Sequence, residues 1–135
     1  MDFSKLDGLI PAVVQDAESH EVLMVGFMND QAWTITQQTG YVTFFSRARK
    51  TLWTKGETSG NRLAVKRIFV DCDEDTVLIT VAREGDGNVC HTGARTCFYS
   101  EVTRLALQGR CGSAFQRARS KPQPCSCSNA RDTRS

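Results

Sequence analysis

No apolar run in these 135 residues approaches bilayer length; residues 22–28 are only strand-sized, so a helical membrane protein is not expected. The opening Met1-Asp2-Phe3-Ser4-Lys5-Leu6-Asp7 has neither a basic n-region nor an apolar h-region, so export is not expected and a cytosolic setting is. Internal repeats are absent, as is any second domain-like texture. Familiar metal signatures are missing too. Cys90 and Cys97 are separated by six residues, which is not a zinc-finger knuckle. An EF-hand loop begun at Asp71 would have Thr76 where glycine is needed and Ala82 where glutamate is needed. The His-x-Glu and Pro-Cys-x-x-Cys pair of zinc base deaminases does not occur.

What is present is a chain of the right size for one compact domain with a sizeable core. Six cysteines in a cytosolic protein point to metal ligands or free thiols before disulfides. The net charge of +2 is unevenly spread. From Arg104 onward there are seven basic residues and one acidic; before it there are ten basic and fourteen acidic. A basic end can meet nucleic acid, but a solvated, poorly ordered tail over residues 110–135 is the preferred reading.

Residues 11–17 and 21–27 read as two strands joined at Glu18-Ser19-His20. Asn29 or Asp30 can cap a short helix over residues 31–39, with Gly40 as its stop. Residues 41–46, the short Leu52-Trp53, residues 62–70 and residues 76–82 are rich in β-branched and aromatic side chains and are expected to be strands. Residues 96–103 are expected to be the last one. The expected fold is α+β, predominantly antiparallel β with one or two short helices, over residues 1–109.

Two segments carry metal chemistry. In Asp71-Cys72-Asp73-Glu74-Asp75, strand alternation would put Asp71, Asp73 and Asp75 on one face and Cys72 on the other. Three carboxylates together repel and suit Mg²⁺ or a similar hard cation. Cys90-His91-Thr92-Gly93-Ala94-Arg95-Thr96-Cys97 adds soft sulfur ligands. Cys72, Cys90 and Cys97 would leave the fourth position of a zinc ion open to water. His91 could close that position, but adjacent ligands rarely point to one tetrahedral centre, so it is read as a nearby acid/base group. If Cys72 faces away from the aspartates, it can reach a neighbouring subunit, and the zinc site would straddle an interface. Ser46-Arg47-Ala48-Arg49-Lys50, then Lys55 and the loop Gly56-Glu57-Thr58-Ser59-Gly60-Asn61, form an anion-binding composition, joined by Arg95. Together they favour a phosphorylated small molecule, with Trp53 either stacked on a base or simply a core residue.

These residues carry a resemblance. Val22-Leu23-Met24 with Met28-Asn29, Ser46-Arg47-Ala48-Arg49, Leu52-Trp53-Thr54-Lys55-Gly56-Glu57-Thr58-Ser59-Gly60-Asn61, the aspartate segment and Cys90-His91-Thr92-Gly93 through Cys97-Phe98 resemble the phosphoribosyl-AMP cyclohydrolases of histidine biosynthesis. The resemblance spans roughly residues 9–103. It implies an intertwined homodimer and a hydrolase that opens the adenine ring of phosphoribosyl-AMP at the N1–C6 bond. It also implies magnesium on Asp71, Asp73 and Asp75, and zinc on Cys90, Cys97 and the partner chain's Cys72. His91 is then the catalytic acid/base; Arg47, Arg49, Trp53, Lys55, Glu57, Thr58, Ser59, Gly60 and Arg95 are the substrate-binding set. The departures are small: Thr96 stands where Ser is usual, Ala48 where Ser is common, and Phe44-Phe45 where tyrosines are usual. Cys111, Cys125 and Cys127 in the tail have no counterpart. The alternative is a non-catalytic, zinc-stabilised module that binds nucleic acid through the basic tail; it has no use for the aspartates or the Glu57 loop.

Overall fold

The computed structural model describes residues 1–102; Thr103, the tail at 110–135 and Cys111, Cys125 and Cys127 lie outside the described residues. The element order is β1 (Ile10–Asp16), β2 (Val22–Met28), α1 (Asp30–Thr39), β3 (Thr43–Ser46), β4 (Thr51–Thr54), β5 (Leu63–Val70) and β6 (Val77–Arg83). This is an α+β fold of mostly antiparallel strands with one short helix. No helix of the described residues is long and apolar enough to cross a membrane.

Alternation drives the sheet. Every second residue of β1 (Ile10, Ala12, Val14, Asp16) is buried, and Val77, Ile79 and Val81 repeat the pattern on β6. Each fully buried Val, Ile or Leu adds about 1.5–3 kcal/mol. A four-stranded sheet runs β2-β1-β6-β5, and β3 and β4 make a separate pair. The β1–β2, β3–β4 and β5–β6 pairings are antiparallel, while β1 and β6 run parallel.

The helix is set by its ends. Asn29 Oδ1 accepts from the Ala32 amide at 2.9 Å, and Gly40, at φ 71°, returns its N–H to the Thr36 carbonyl at 3.0 Å. Buried Thr36 then joins helix to sheet: its Oγ1 donates to the Ala32 carbonyl at 2.8 Å and accepts from the Thr43 amide at 3.0 Å. Gly26 on β2 is needed for packing, because a Cβ there would collide with the ring of Phe44. Phe44 in turn sets Trp53, with ring centroids 5.0 Å apart.

Two expectations fail. Residues 96–102 form no strand; Thr96 and Cys97 bond singly to the Val22 and Leu23 carbonyls of β2. Residues 71–75 are not extended either; they are the turn of the β5–β6 hairpin, with Glu74 at φ 60°. The Asp71 side chain bonds across the turn and overrides alternation there: its Oδ1 accepts from the Asp75 and Thr76 amides at 3.0 and 3.1 Å.

Candidate active site

The β3–β4 pair ends in the loop that follows Thr54. Glu57 Oε2 accepts from the Thr54 amide at 3.1 Å, and the Gly60 amide donates to the Gly56 carbonyl at 2.8 Å. Gly56, at φ 81°, lies so close to the Asn61 backbone that a Cβ would overlap it. The loop walls a cavity of about 410 Å³ lined chiefly by Ser46, Arg49, Trp53, Glu57, Thr58 and Ser59. That volume suits one small molecule. Half-buried Trp53 supplies an apolar wall.

Not every cation foreseen for this site reaches the cavity. Arg49 does. Arg47 lies over the Phe27 ring, 3.9 Å from its centroid, and lines a different cavity with Asn29 and Lys50. The Arg95 Nε donates to Glu21 Oε2 at 2.7 Å, so its guanidinium is engaged at the start of β2. Lys55 does not line the cavity either; its charge is a minor influence that favours the thiolate at Cys90 and Cys97, outweighed at Cys97 by lost solvent. Gly60, at φ 78°, closes the loop. Ser46 and Thr54 also line the cavity. The sequence reading passed over them because neutral hydroxyls in a strand carry no distinguishing signal.

Cys90 to Cys97 form a closed loop. The Cys90 amide donates to the Ala94 carbonyl at 2.9 Å, and the Gly93 amide to the Cys90 carbonyl at 3.0 Å. Thr96 Oγ1 donates to the Val22 carbonyl at 2.8 Å, and the Cys97 amide to the Leu23 carbonyl at 2.8 Å. Thr96 is used through its hydroxyl. Cys90 and Cys97 are brought together and are unalike. The Thr92 hydroxyl, donating to the Cys90 sulfur, leads the effects that lower its pKa. Cys97 is an exposed residue overall, yet its thiol lies against Cys90; lost solvent there, then the Cys90 charge, raise its pKa. His91 is exposed, with Nδ1 3.9 Å from the Cys90 sulfur.

Asp71, Asp73 and Asp75 each offer a carboxylate oxygen within 4.8 Å of the others. They converge through the hairpin turn, not through a strand face. Their repulsion is answered by Lys5, whose Nζ donates to Asp73 Oδ2 at 2.7 Å and to the Asp73 carbonyl at 3.0 Å, and lies 3.2 Å from Asp75 Oδ2. The pair lifts the Lys5 pKa and lowers that of Asp73. Lys5 was invisible to sequence reasoning, being separated by 68 residues from Asp73. Cys72 is exposed. Among the described residues this aspartate trio is the one group of three potential ligands, so Cys72 does not join Cys90 and Cys97 within the chain.

Comparison with known proteins adds a family. The sequence profile described as phosphoribosyl-AMP cyclohydrolase matches residues 24–99. The chain is similar to the phosphoribosyl-AMP cyclohydrolase of Desulfatibacillum aliphaticivorans, 55% identical over 102 residues that cover 76% of this chain and 81% of that protein. That of Erythrobacter litoralis is 58% identical over 102 residues, 76% of this chain and 80% of the relative. The histidine biosynthesis bifunctional protein HisIE of Bacteroides thetaiotaomicron is 55% identical over 98 residues, 73% of this chain and 47% of that longer protein.

Proposed function

The chain belongs to the phosphoribosyl-AMP cyclohydrolase family of histidine biosynthesis enzymes, and from that premise we propose how it works: it hydrolyses the N1–C6 bond of phosphoribosyl-AMP with the help of zinc and magnesium, as a homodimer. The observation that carries this reading is the cavity of about 410 Å³ walled by Arg49, Trp53 and the Gly56-Glu57-Thr58-Ser59 loop, within the stretch that matches the family.

The residues fit both ions. Three convergent carboxylates suit a hard divalent cation, and two adjoining thiols suit a thiophilic one. Asp71, Asp73 and Asp75 would hold magnesium, beside a phosphate of the substrate. Cys90, Cys97 and a partner chain's Cys72 would hold zinc. Bound there, zinc would lower the pKa of a water in its open position.

The chain's own groups do the rest. Arg49 and the loop amides take phosphate oxygens, with Lys55, Thr58, Ser59 and Gly60 beside them, and Glu57 holds the turn. Trp53 stacks on the base. Arg47 and Arg95 contribute positive field from further out. Ribosylation at N1 makes the purine cationic and C6 electrophilic. Water adds to C6 and gives a proton to His91; His91 then returns a proton to N1 as the C6–N1 bond breaks. C6 becomes the carboxamide carbon, and the formimino carbon stays with N1.

The dimer is supported by what flanks the cysteines. Beside Cys72, Phe69 and Val70 are 47% and 45% exposed; beside Cys97, Phe98 and Tyr99 are 60% and 59% exposed. A second copy would cover these apolar groups and bring the third sulfur. A reducing compartment, the cytoplasm, suits the three free thiols among the described residues. The nucleic-acid reading leaves the cavity and the aspartates idle, and its basic tail lies outside the described residues.

The test is direct. The purified chain is incubated with phosphoribosyl-AMP, with and without a zinc chelator, and the purine ultraviolet spectrum is followed. A change that the chelator abolishes is expected. No zinc-dependent change would sink the proposal.

A further inference from the structure

The turn at residues 90–93 folds back on itself. Gly93 takes φ 83°, and its amide returns to the Cys90 carbonyl at 3.0 Å, so residue 92 sits over residue 90. Thr92 Oγ1 then donates to the Cys90 sulfur at 3.1 Å. Among the described residues this sulfur is the only partner of that hydroxyl. Thr96, four residues on, spends its hydroxyl on the backbone carbonyls of Val22 and Leu23. Cys97 has no comparable hydroxyl donor among the described residues. Two threonines in one loop therefore have different jobs, and only one sulfur of the pair accepts an O–H.

We propose that Thr92 is a positioning residue for the zinc chemistry, fixing the direction of the Cys90 sulfur and drawing electron density from it. The inference rests on the reading that Cys90 ligates zinc. Three thiolates donate strongly and leave a metal a poor activator of water. A hydroxyl donated to one thiolate withdraws part of that donation, so the ion keeps more of its acidity. Outer partners of this kind tune ligand direction and basicity. The side chain of Thr92 does not line the cavity, so its effect belongs to the chemical step and not to substrate capture.

The test uses the full chain with Thr92→Val, which keeps the shape and removes the donor, and Thr92→Ser, which keeps the donor. Thr92 is exposed, so neither change disturbs the core. Each protein is loaded with Co²⁺ and its thiolate-to-cobalt absorption recorded; zinc retention is measured against a chromogenic chelator. For Thr92→Val, the band moves to longer wavelength, zinc retention falls about tenfold, and kcat falls with KM unchanged. Thr92→Ser restores all three. A Thr92→Val band and zinc retention equal to wild type would overturn the proposal, as would Thr92→Ser behaving like Thr92→Val. A wild-type chain with no thiolate-to-cobalt band overturns the zinc reading itself, which distinguishes the two failures.

Discussion

Residues 71–75 and residues 90–97 are both turns stitched by backbone hydrogen bonds, and they differ in where their ligand chemistry is completed. The acidic turn gathers three carboxylates inside one chain and answers their charge with Lys5. The cysteine loop gathers two sulfurs, beside exposed Phe98 and Tyr99, and finds no third in its own chain among the described residues. One turn is closed by its own N-terminal segment; the other stays open. On the proposed reading the cysteine loop needs a second copy to complete its ligand set, whereas the acidic turn already has its three carboxylates in one chain.

The largest effect that would sharpen this contrast is at His91. His91→Ala should retain zinc, because the thiols are untouched, and lose turnover by roughly 10²–10⁴-fold. Steady-state rates and zinc content measured on one preparation check this. Near-normal turnover would remove His91 from the proton transfer.

Next comes the anchorage of the cysteine limb. Buried Asp16 accepts from the Ser19 and Glu18 amides at 2.8 and 3.0 Å and from Arg83 Nε at 2.6 Å, and Arg83 Nη1 holds the Gly87 carbonyl at 2.9 Å. The Ser19 amide first, then Arg83, keep the Asp16 pKa at about 2, below the ordinary 3.8. A depressed carboxylate stabilises the fold above its unfolded pKa and loses that contribution as pH falls through the folded one. Stability should therefore drop by roughly 2 kcal/mol between about pH 4 and pH 2. Urea titrations across that window check it. Asp16→Asn should flatten this component; an unchanged slope would contradict the assignment.

A smaller effect belongs to the acidic turn. Lys5→Met removes the ammonium seated on Asp73 and Asp75. Magnesium affinity, read by calorimetry, should rise a few-fold. A fall would mean that Lys5 orients the carboxylates for the ion instead of competing with it.

The contrast also explains what the sequence made legible. Richness in β-branched residues carried β5 and β6, and Asn29 with Gly40 carried the helix, because those signals are local. The parallel β1–β6 pairing left no local trace. The aspartates converge for a reason other than the one inferred: strand alternation suggested it, but a hairpin turn with Glu74 at φ 60° and Asp71 bonded to the Asp75 and Thr76 amides produces it. Residues 96–102 have strand-like composition, yet Thr96 and Cys97 bond the carbonyls of Val22 and Leu23 one by one instead of forming a ladder. Lys5, Glu21 and the engagement of Arg47 by Phe27 depend on long-range packing, which no spacing announces.

The measurement closest to the central claim mixes two inactive chains. Cys72→Ala and Cys90→Ala proteins are each prepared, combined under exchange, and assayed for bound zinc and for hydrolysis of phosphoribosyl-AMP. If the cysteine loop is completed by a second copy, the mixed dimer regains one intact zinc site and a share of the activity. If each chain builds its own site, the mixture stays as inactive as its parents.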